Sequence, residues 1–441
     1  MKISILLPYK ENFSPTYAGA VSIFLKDTLK FSKFKKNTIV FGNTNFKKKL
    51  LKNYKNLNFT PSFLRSNSNL YLNKFIENEI KKTSDLIEIH NRPDYVNKIF
   101  NINENLVLYF HNNPLDMKSS KSLKDRTNLI NKTKKIIFNS KWTKKKFLEG
   151  LNISNKFKKK LYVIYQSTNT KKVNFTKKKK YIIFVGRLNS SKGYDIFGKA
   201  VLKILDKYKD WKAVVIGDEP REKILFRHKK LDILGFLNHN KVSNWFVKSQ
   251  IAVICSRWQE PFGRTAMESA AYGCATITSN RGGLSETFNT NLVLKNLNSI
   301  SLEKIIKKVI LNKRKLKNIQ NNNFKNVIHK INYLVFKIDN LKRNFLEKKI
   351  NYIKNKNLKI LHIGNFDEKN DHRLFNISIA NKISKGFIRN SHDVLNFSYR
   401  DFNSKMIIKN NNLLNEKIFN ISENYKPDLI VLGHNNVLDS N

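Results

Sequence analysis

The stretch Arg257-Trp-Gln-Glu260-Pro-Phe-Gly263-Arg-Thr-Ala-Met-Glu268 decides how the rest of this chain is read. Two glutamates stand eight residues apart, with Pro-Phe-Gly after the first and a helix-forming run leading to the second. The apolar run Ile251-Ala-Val-Ile-Cys255 before it predicts a short buried strand. Pro261 and Gly263 end that strand, and Thr265 to Tyr272 has helical composition, stopped by Gly273. Strand, glycine turn and helix in that order leave free N–H groups and a partial positive charge at the helix N-terminus. That suits a phosphate or a sugar hydroxyl. Glu260 falls at the mouth of the turn. Glu268 lies about 800° further round the helix, roughly 80° past two turns, and is expected to face much the same way.

Some seventy residues upstream, Tyr181-Ile-Ile-Phe-Val-Gly186-Arg187-Leu-Asn-Ser-Ser-Lys192-Gly193 reads as a buried strand running into a turn before a helix. The turn offers a guanidinium and an ammonium five residues apart, a pair able to neutralise a diphosphate without a metal. Between the two motifs, Trp211 to Asp218 predicts a strand ending at Gly217, and Leu234 to His239 a short strand before a helix over Lys241–Lys248. Nearer the N-terminus, Ile3 to Leu7 predicts the first strand, and Tyr17-Ala-Gly19-Ala20 a small-residue turn entering a helix. Asp85 to Pro93 and Leu106 to Pro114 each place a histidine, His90 and His111, at the C-terminal end of an apolar strand. Open α/β sheets bind their ligands at that end.

Together these residues resemble the Glu-x7-Glu and Gly-Arg…Lys-Gly motifs of retaining, nucleotide-sugar-dependent glycosyltransferases of family four. The resemblance covers about residues 1–345 and is most specific across 181–290. It implies the GT-B fold, two facing Rossmann-like domains with a cleft between them. It also implies that Glu260 and the backbone of Phe262, Gly263, Arg264 and Thr265 hold the donor sugar, and that Glu268 holds the nucleotide ribose. Gly186, Arg187 and Lys192 inherit the diphosphate role, Gly217 helps to form the base and diphosphate pocket, and His111 lies near the donor sugar. Gly19 would face the diphosphate across the cleft, although the family's glycine pair stands here as Ala18-Gly19. Gly282-Gly283 would close around the donor, and the helices from Ser301 to Lys349 would return to pack on the first domain. No metal or other cofactor is implied; the nucleotide-diphosphate sugar is a co-substrate.

Composition bounds the remaining choices. A chain of 441 residues suggests two or three domains. It has no run of 18 apolar residues to suggest a transmembrane helix. Residues 1–8 are too short an apolar region for a signal peptide, so a cytoplasmic location is expected. Cys255 and Cys274 sit among apolar or small residues and read as core thiols. The formal charge of +51 is mostly lysine, and abundant Asn and Ile alongside it are the mark of an AT-rich coding genome. Residues 181–290 hold 17 Lys and Arg against 10 Asp and Glu, so the expected donor domain is the least basic part. Lysine runs at 144–146, 158–160 and 177–180 suit anionic lipid headgroups at a membrane surface, or nucleic acid. No helix-turn-helix, zinc-finger or ribonucleoprotein motif supports specific nucleic-acid recognition.

The expected organisation is a Rossmann-like acceptor domain over 1–170, a donor domain over 171–315 and a helical return segment over 316–350. Over 351–441, Lys359-Ile-Leu-His-Ile-Gly364 echoes residues 2–7, and Asp428-Leu-Ile-Val-Leu-Gly-His434 echoes residues 85–90. With a helix over Leu374–Lys385 and a strand over Val394–Phe397, the segment predicts a partial second Rossmann-like domain, the start of a truncated or split tandem enzyme. Arg373, Arg389 and Arg400 there read as surface charge or an anion site. The expected activity is transfer of a sugar to a glycan or lipid-linked acceptor in surface polysaccharide synthesis. A nucleotide-sugar-binding protein without turnover and a basic nucleic-acid binder are the alternatives.

Overall fold

Seven parallel strands open the chain: β1 (Ile3–Leu6), β2 (Thr38–Gly42), β3 (Tyr54–Asn56), β4 (Leu86–His90), β5 (Leu106–Phe110), β6 (Lys135–Phe138) and β7 (Leu161–Val163). In the computed structural model, which describes residues 1–62, 66–168, 173–288, 292–327, 331–353, 357–366, 378–404 and 411–433, they pair in the order β3-β2-β1-β4-β5-β6-β7. Every residue of β1, β4 and β5 is buried, as both faces of a parallel sheet covered by helices require. Phe41, Tyr71, Phe75, Phe110, Phe138 and Phe147 fill one face. Strand order reverses between β1 and β4, which opens a crevice at their carboxyl ends.

A second sheet repeats the plan with β8 (Lys179–Val185), β9 (Lys212–Ile216), β10 (Leu231–Ile233), β11 (Ser249–Ile254), β12 (Ala275–Ser279) and β13 (Val293–Leu294), ordered β10-β9-β8-β11-β12-β13. Its reversal falls between β8 and β11, so Gly186-Arg187 and Arg257–Glu260 leave the sheet side by side. The strand expected over Leu234–His239 lies instead at β10. Gly235 takes φ +64, a left-handed conformation that cannot continue a strand. The following helix starts at His239, earlier than Lys241, because the Asn238 side chain caps it by accepting the Lys241 N–H.

Both sheets belong to one compact unit, Met1–Lys342. Helices Ser299–Ile310, Lys313–Lys325 and Ile331–Ile353 follow the second sheet. On the last of these, Asp339 accepts hydrogen bonds from Ser32 Oγ (2.6 Å) and the Lys33 N–H (2.8 Å) of the first domain. Lys342 pairs with Glu88 of β4 at 3.1 Å, both side chains buried. The return to the first domain is therefore made by specific polar contacts as well as by Val335 and Ile338.

The second unit, Arg343–Asn441, holds β14 (Lys359–Gly364), β15 (Asp393–Ser398) and β16 (Leu429–Leu432), all parallel, in the order β15-β14-β16. This matches β2-β1-β4 in order and sense. The same anchor recurs: the Lys2 N–H donates to Asp85 Oδ2 (2.8 Å), and the Lys359 N–H to Asp428 Oδ2 (3.0 Å). The echo between the two stretches is thus structural. Its helix runs Ile379–Arg389 after the Ser378 cap, with one turn more at the C-terminal end than expected. Arg373, His434 and Ile328 lie outside the described residues, as do residues 374–377 of the expected helix.

Candidate active site

Strand β8 delivers Gly186 and Arg187 to the cleft. Arg187 is exposed and has no ion pair among the described residues. Asn189 then caps a short turn by accepting the Lys192 N–H, which leads into the helix Tyr194–Lys207. The loop after β11 is stitched to this turn. The N–H groups of Arg257 and Trp258 donate to Ser191 O, at 2.9 and 3.1 Å. Arg257 grips Asp195 through both terminal nitrogens (2.6 and 2.7 Å). The stitching brings the two motifs together: Lys192 Nζ lies 2.5 Å from Glu260 Oε1 and 4.7 Å from the centroid of the half-exposed Trp258 ring.

The Glu260 loop is held from behind by Gly282-Gly283. A Cβ on Gly282 would stand 2.2 Å from Glu260 O, and one on Gly283 2.4 Å from Pro261 O, so only glycine lets the two loops meet. Phe262 is buried, and Gly263 at φ +92 turns the chain into the helix Arg264–Ala271, whose N-terminus has no side-chain cap. Thr265, half-buried, lies in its first turn. Gly217 packs under Gly186, whose carbonyl would be 1.8 Å from a Cβ there.

Glu268 does not share partners with Glu260. Its Oε1 accepts from Arg264 Nε (2.6 Å) and His239 Nε2 (2.9 Å). Burial works to raise the Glu268 pKa, but Arg264 and then His239 outweigh it and hold the carboxyl at about 2. Arg264 also reaches into the first domain, with Nη2 2.6 Å from Asp27 Oδ2, while its buried Nη1 has no hydrogen-bond partner among the described residues.

From the first domain, His111 sits at the cleft floor, 7% exposed. Gln166 Nε2 donates to His111 Nδ1 (3.3 Å), so the ring proton is on Nε2, which donates to His90 Nδ1 (3.0 Å). His90 then carries its proton on Nε2, facing Glu88 at 3.8 Å. Burial, with His90 adding to it, pushes the His111 pKa well down, so the ring is neutral. At Gly19 the space a Cβ would take is filled by the Glu11 carboxylate, which accepts the Ser22 N–H (2.9 Å) at the start of the helix Ala20–Phe31. Glu286, from the loop after Gly283, accepts the N–H groups of Lys141 (2.6 Å) and Trp142 (2.7 Å), capping a first-domain helix from the second domain.

The structure therefore brings Lys192 to Glu260 and sets Glu268 among Arg264 and His239; His111 and Gly19 lie on the facing domain. Asp27, Gln166, Trp258 and the side chain of His239 were not anticipated as site residues. No local pattern marks Asp27 or Gln166, because each meets its partner only through the fold. Among the described residues, no group of three or more His, Cys, Asp or Glu is placed to hold a metal ion.

Residues 166–326 match the family described as glycosyl transferases, group 1. The chain is similar to 2-deoxystreptamine N-acetyl-D-glucosaminyltransferase of Niallia circulans (30% identity over 117 residues, 25% of this chain and 30% of that protein). It is also similar to a glycosyltransferase of Methanocaldococcus jannaschii (32% over 162 residues, 31% of this chain and 41% of the relative). The chain thus spans less than half the length of either relative. Among solved structures, HepE of Anabaena in complex with UDP and glucose superposes with a TM-score of 0.59 at 17% identity, covering 79% of this chain and 99% of HepE. Sucrose-phosphate synthase of Thermosynechococcus elongatus gives a TM-score of 0.62 at 14% identity, covering 79% of this chain and all of the enzyme's.

Proposed function

We infer that this chain, whose residues 166–326 form a group 1 glycosyltransferase domain on a GT-B fold, transfers a sugar from a nucleotide-diphosphate donor to an acceptor. The observation that carries the reading is the Lys192–Glu260 pair at 2.5 Å, which joins two distant motifs at one cleft. In this reading Arg187 and Lys192 stabilise the charge that develops on the departing nucleotide, and Glu260 hydrogen-bonds a donor hydroxyl. The uncapped N-terminus of the Arg264–Ala271 helix faces the same oxygens. Glu268 Oε2, which takes no hydrogen bond among the described residues, is the acceptor for a ribose hydroxyl. His111, neutral and bonded through both ring nitrogens, shapes the floor of the sugar site and does not exchange a proton there.

Both carboxylates of the central motif are bound to cations, Glu260 to Lys192 and Glu268 to Arg264, so neither is free to act as a covalent nucleophile. Retained configuration is what the family resemblance implies, and with both carboxylates paired, departure and attack on one face of the sugar is the route we favour. The acceptor, a glycan or a lipid-linked precursor, would be held mainly by residues 1–170. Exposed lysines of the first domain, Lys145, Lys158 and Lys159 among them, suit peripheral contact with an anionic membrane. No helix among the described residues is long and apolar enough to cross one.

Donor consumption across UDP-, GDP- and ADP-sugars tests the reading, with UDP-sugars first because HepE was solved with UDP. Glu260→Ala and Arg187→Ala are each expected to lower kcat/KM about 10²–10³-fold for whichever donor the wild type uses. Equal turnover by wild type and both variants would contradict it.

A further inference from the structure

Three buried side chains link the two domains through one guanidinium. Arg264 Nε holds Glu268 Oε1 and Arg264 Nη2 holds Asp27 Oδ2, both at 2.6 Å, with no side chain of the three more than 9% exposed. Asp27 lies on the helix Ala20–Phe31 of the first domain; Arg264 and Glu268 lie one turn apart on a helix of the second. A guanidinium is a rigid planar fork, so fixing one arm on Asp27 fixes the direction of the other toward Glu268. An Arg and Glu four apart on a helix pair readily without help. The third partner from the opposite domain therefore adds something other than that local pair. Arg264 Nη1 is buried and meets no acceptor among the described residues, so two of the guanidinium's three nitrogens carry the whole observed network.

We propose that Asp27 is a positioning residue for the donor: by holding Arg264 when the domains close, it sets Glu268 to receive the nucleotide ribose. This rests on the reading of the cleft as a nucleotide-sugar site. Opening the cleft separates Asp27 from Arg264 and frees the guanidinium to swing over Glu268. Nucleotide binding then favours closure, and closure favours binding by the same factor. Asp27 touches no substrate in this scheme and acts through Arg264 alone.

The test is calorimetric titration of UDP, GDP and ADP into the full chain, with X-ray scattering before and after nucleotide and melting curves without it. For the nucleotide that wild type binds, Asp27→Asn is expected to weaken affinity roughly 5- to 150-fold and to lose the compaction on binding. Asp27→Glu, which keeps the charge, is expected to recover part of both. If Asp27→Asn lowers only the melting temperature, with wild-type affinity and compaction, the pair is a structural tie and the proposal is wrong. Should that variant not fold, Asp27→Ser carries the same comparison, since it also removes the carboxylate and leaves the Arg264–Glu268 pair in place. Wild type binding none of the three would remove the donor reading itself, and the coupling with it.

Discussion

Glu268 is held ionised by its neighbours, and that has a consequence for stability. Its carboxyl titrates at about 2 in the folded chain against an ordinary 4.5, because Arg264 and His239 overcome the effect of burial. A depressed carboxyl stabilises the fold above its unfolded pKa, and the contribution disappears as pH falls through the folded one. Stability on the order of 3 kcal/mol is therefore expected to fade between about pH 4.5 and pH 2. Denaturant midpoints measured across that window should fall more steeply for wild type than for Glu268→Gln, which has no carboxyl to titrate. Parallel slopes would show that Glu268 is not paired as described. Glu260, Glu268, Arg187 and Lys192 were singled out by their spacing together with the family resemblance. Their pairing was not legible there: spacing placed both glutamates on one side, whereas Glu260 meets Lys192 and Glu268 meets Arg264 and His239.

At the scale of elements, a single lysine ties two helix ends together. Lys178 is buried, and its three N–H groups are shared among the carbonyls of Phe246, Val247, Ser249 and Tyr272, at 2.8–3.1 Å. These carbonyls close the helices His239–Lys248 and Arg264–Ala271, where a positive charge opposes the helix dipole. The Phe246 and Ser249 carbonyls keep other donors, from the Ser249 N–H and Cys274 Sγ. Lys178→Met therefore mainly strips the ammonium from the Val247 and Tyr272 carbonyls. At about 1–3 kcal/mol each, a loss of roughly 2 kcal/mol or more in chemical denaturation is expected. Unchanged stability would mean that water replaces the ammonium. In the sequence Lys178 sat inside a lysine run that suited an anionic surface. Lys144 and Lys160 likewise turn their ammonium groups onto backbone carbonyls, of Leu161 and of Ile130 and Thr133. A lysine run does not reveal which members face inward. Apolar runs ending in a polar, proline or glycine turn were read correctly at β1, β4, β5, β8, β9, β11 and β12. The segment 234–239 misled because its apolar residues suggested a strand while Gly235 had already turned the chain.

For the whole molecule, the GT-B fold was legible because each sheet declares itself in buried strands followed by chemically distinctive turns. The closed cleft was not. It depends on contacts between residues far apart in sequence, such as Arg264 with Asp27 and Thr143 with Pro261, and on the ring of Tyr17 stacked 4.2 Å from that of Phe236. The second unit repeats the order and anchoring of β2-β1-β4, which extends the echo heard between residues 2–7 and 359–364 into three dimensions. The central claim is that the cleft between the two large sheets receives a nucleotide-diphosphate sugar. Equilibrium binding of UDP-, GDP- and ADP-sugars to wild type and Arg187→Ala tests it most directly. Saturable binding of one donor class, weakened at least tenfold in Arg187→Ala, is the predicted result. Absence of binding to every donor, or equal affinity in the variant, would contradict it.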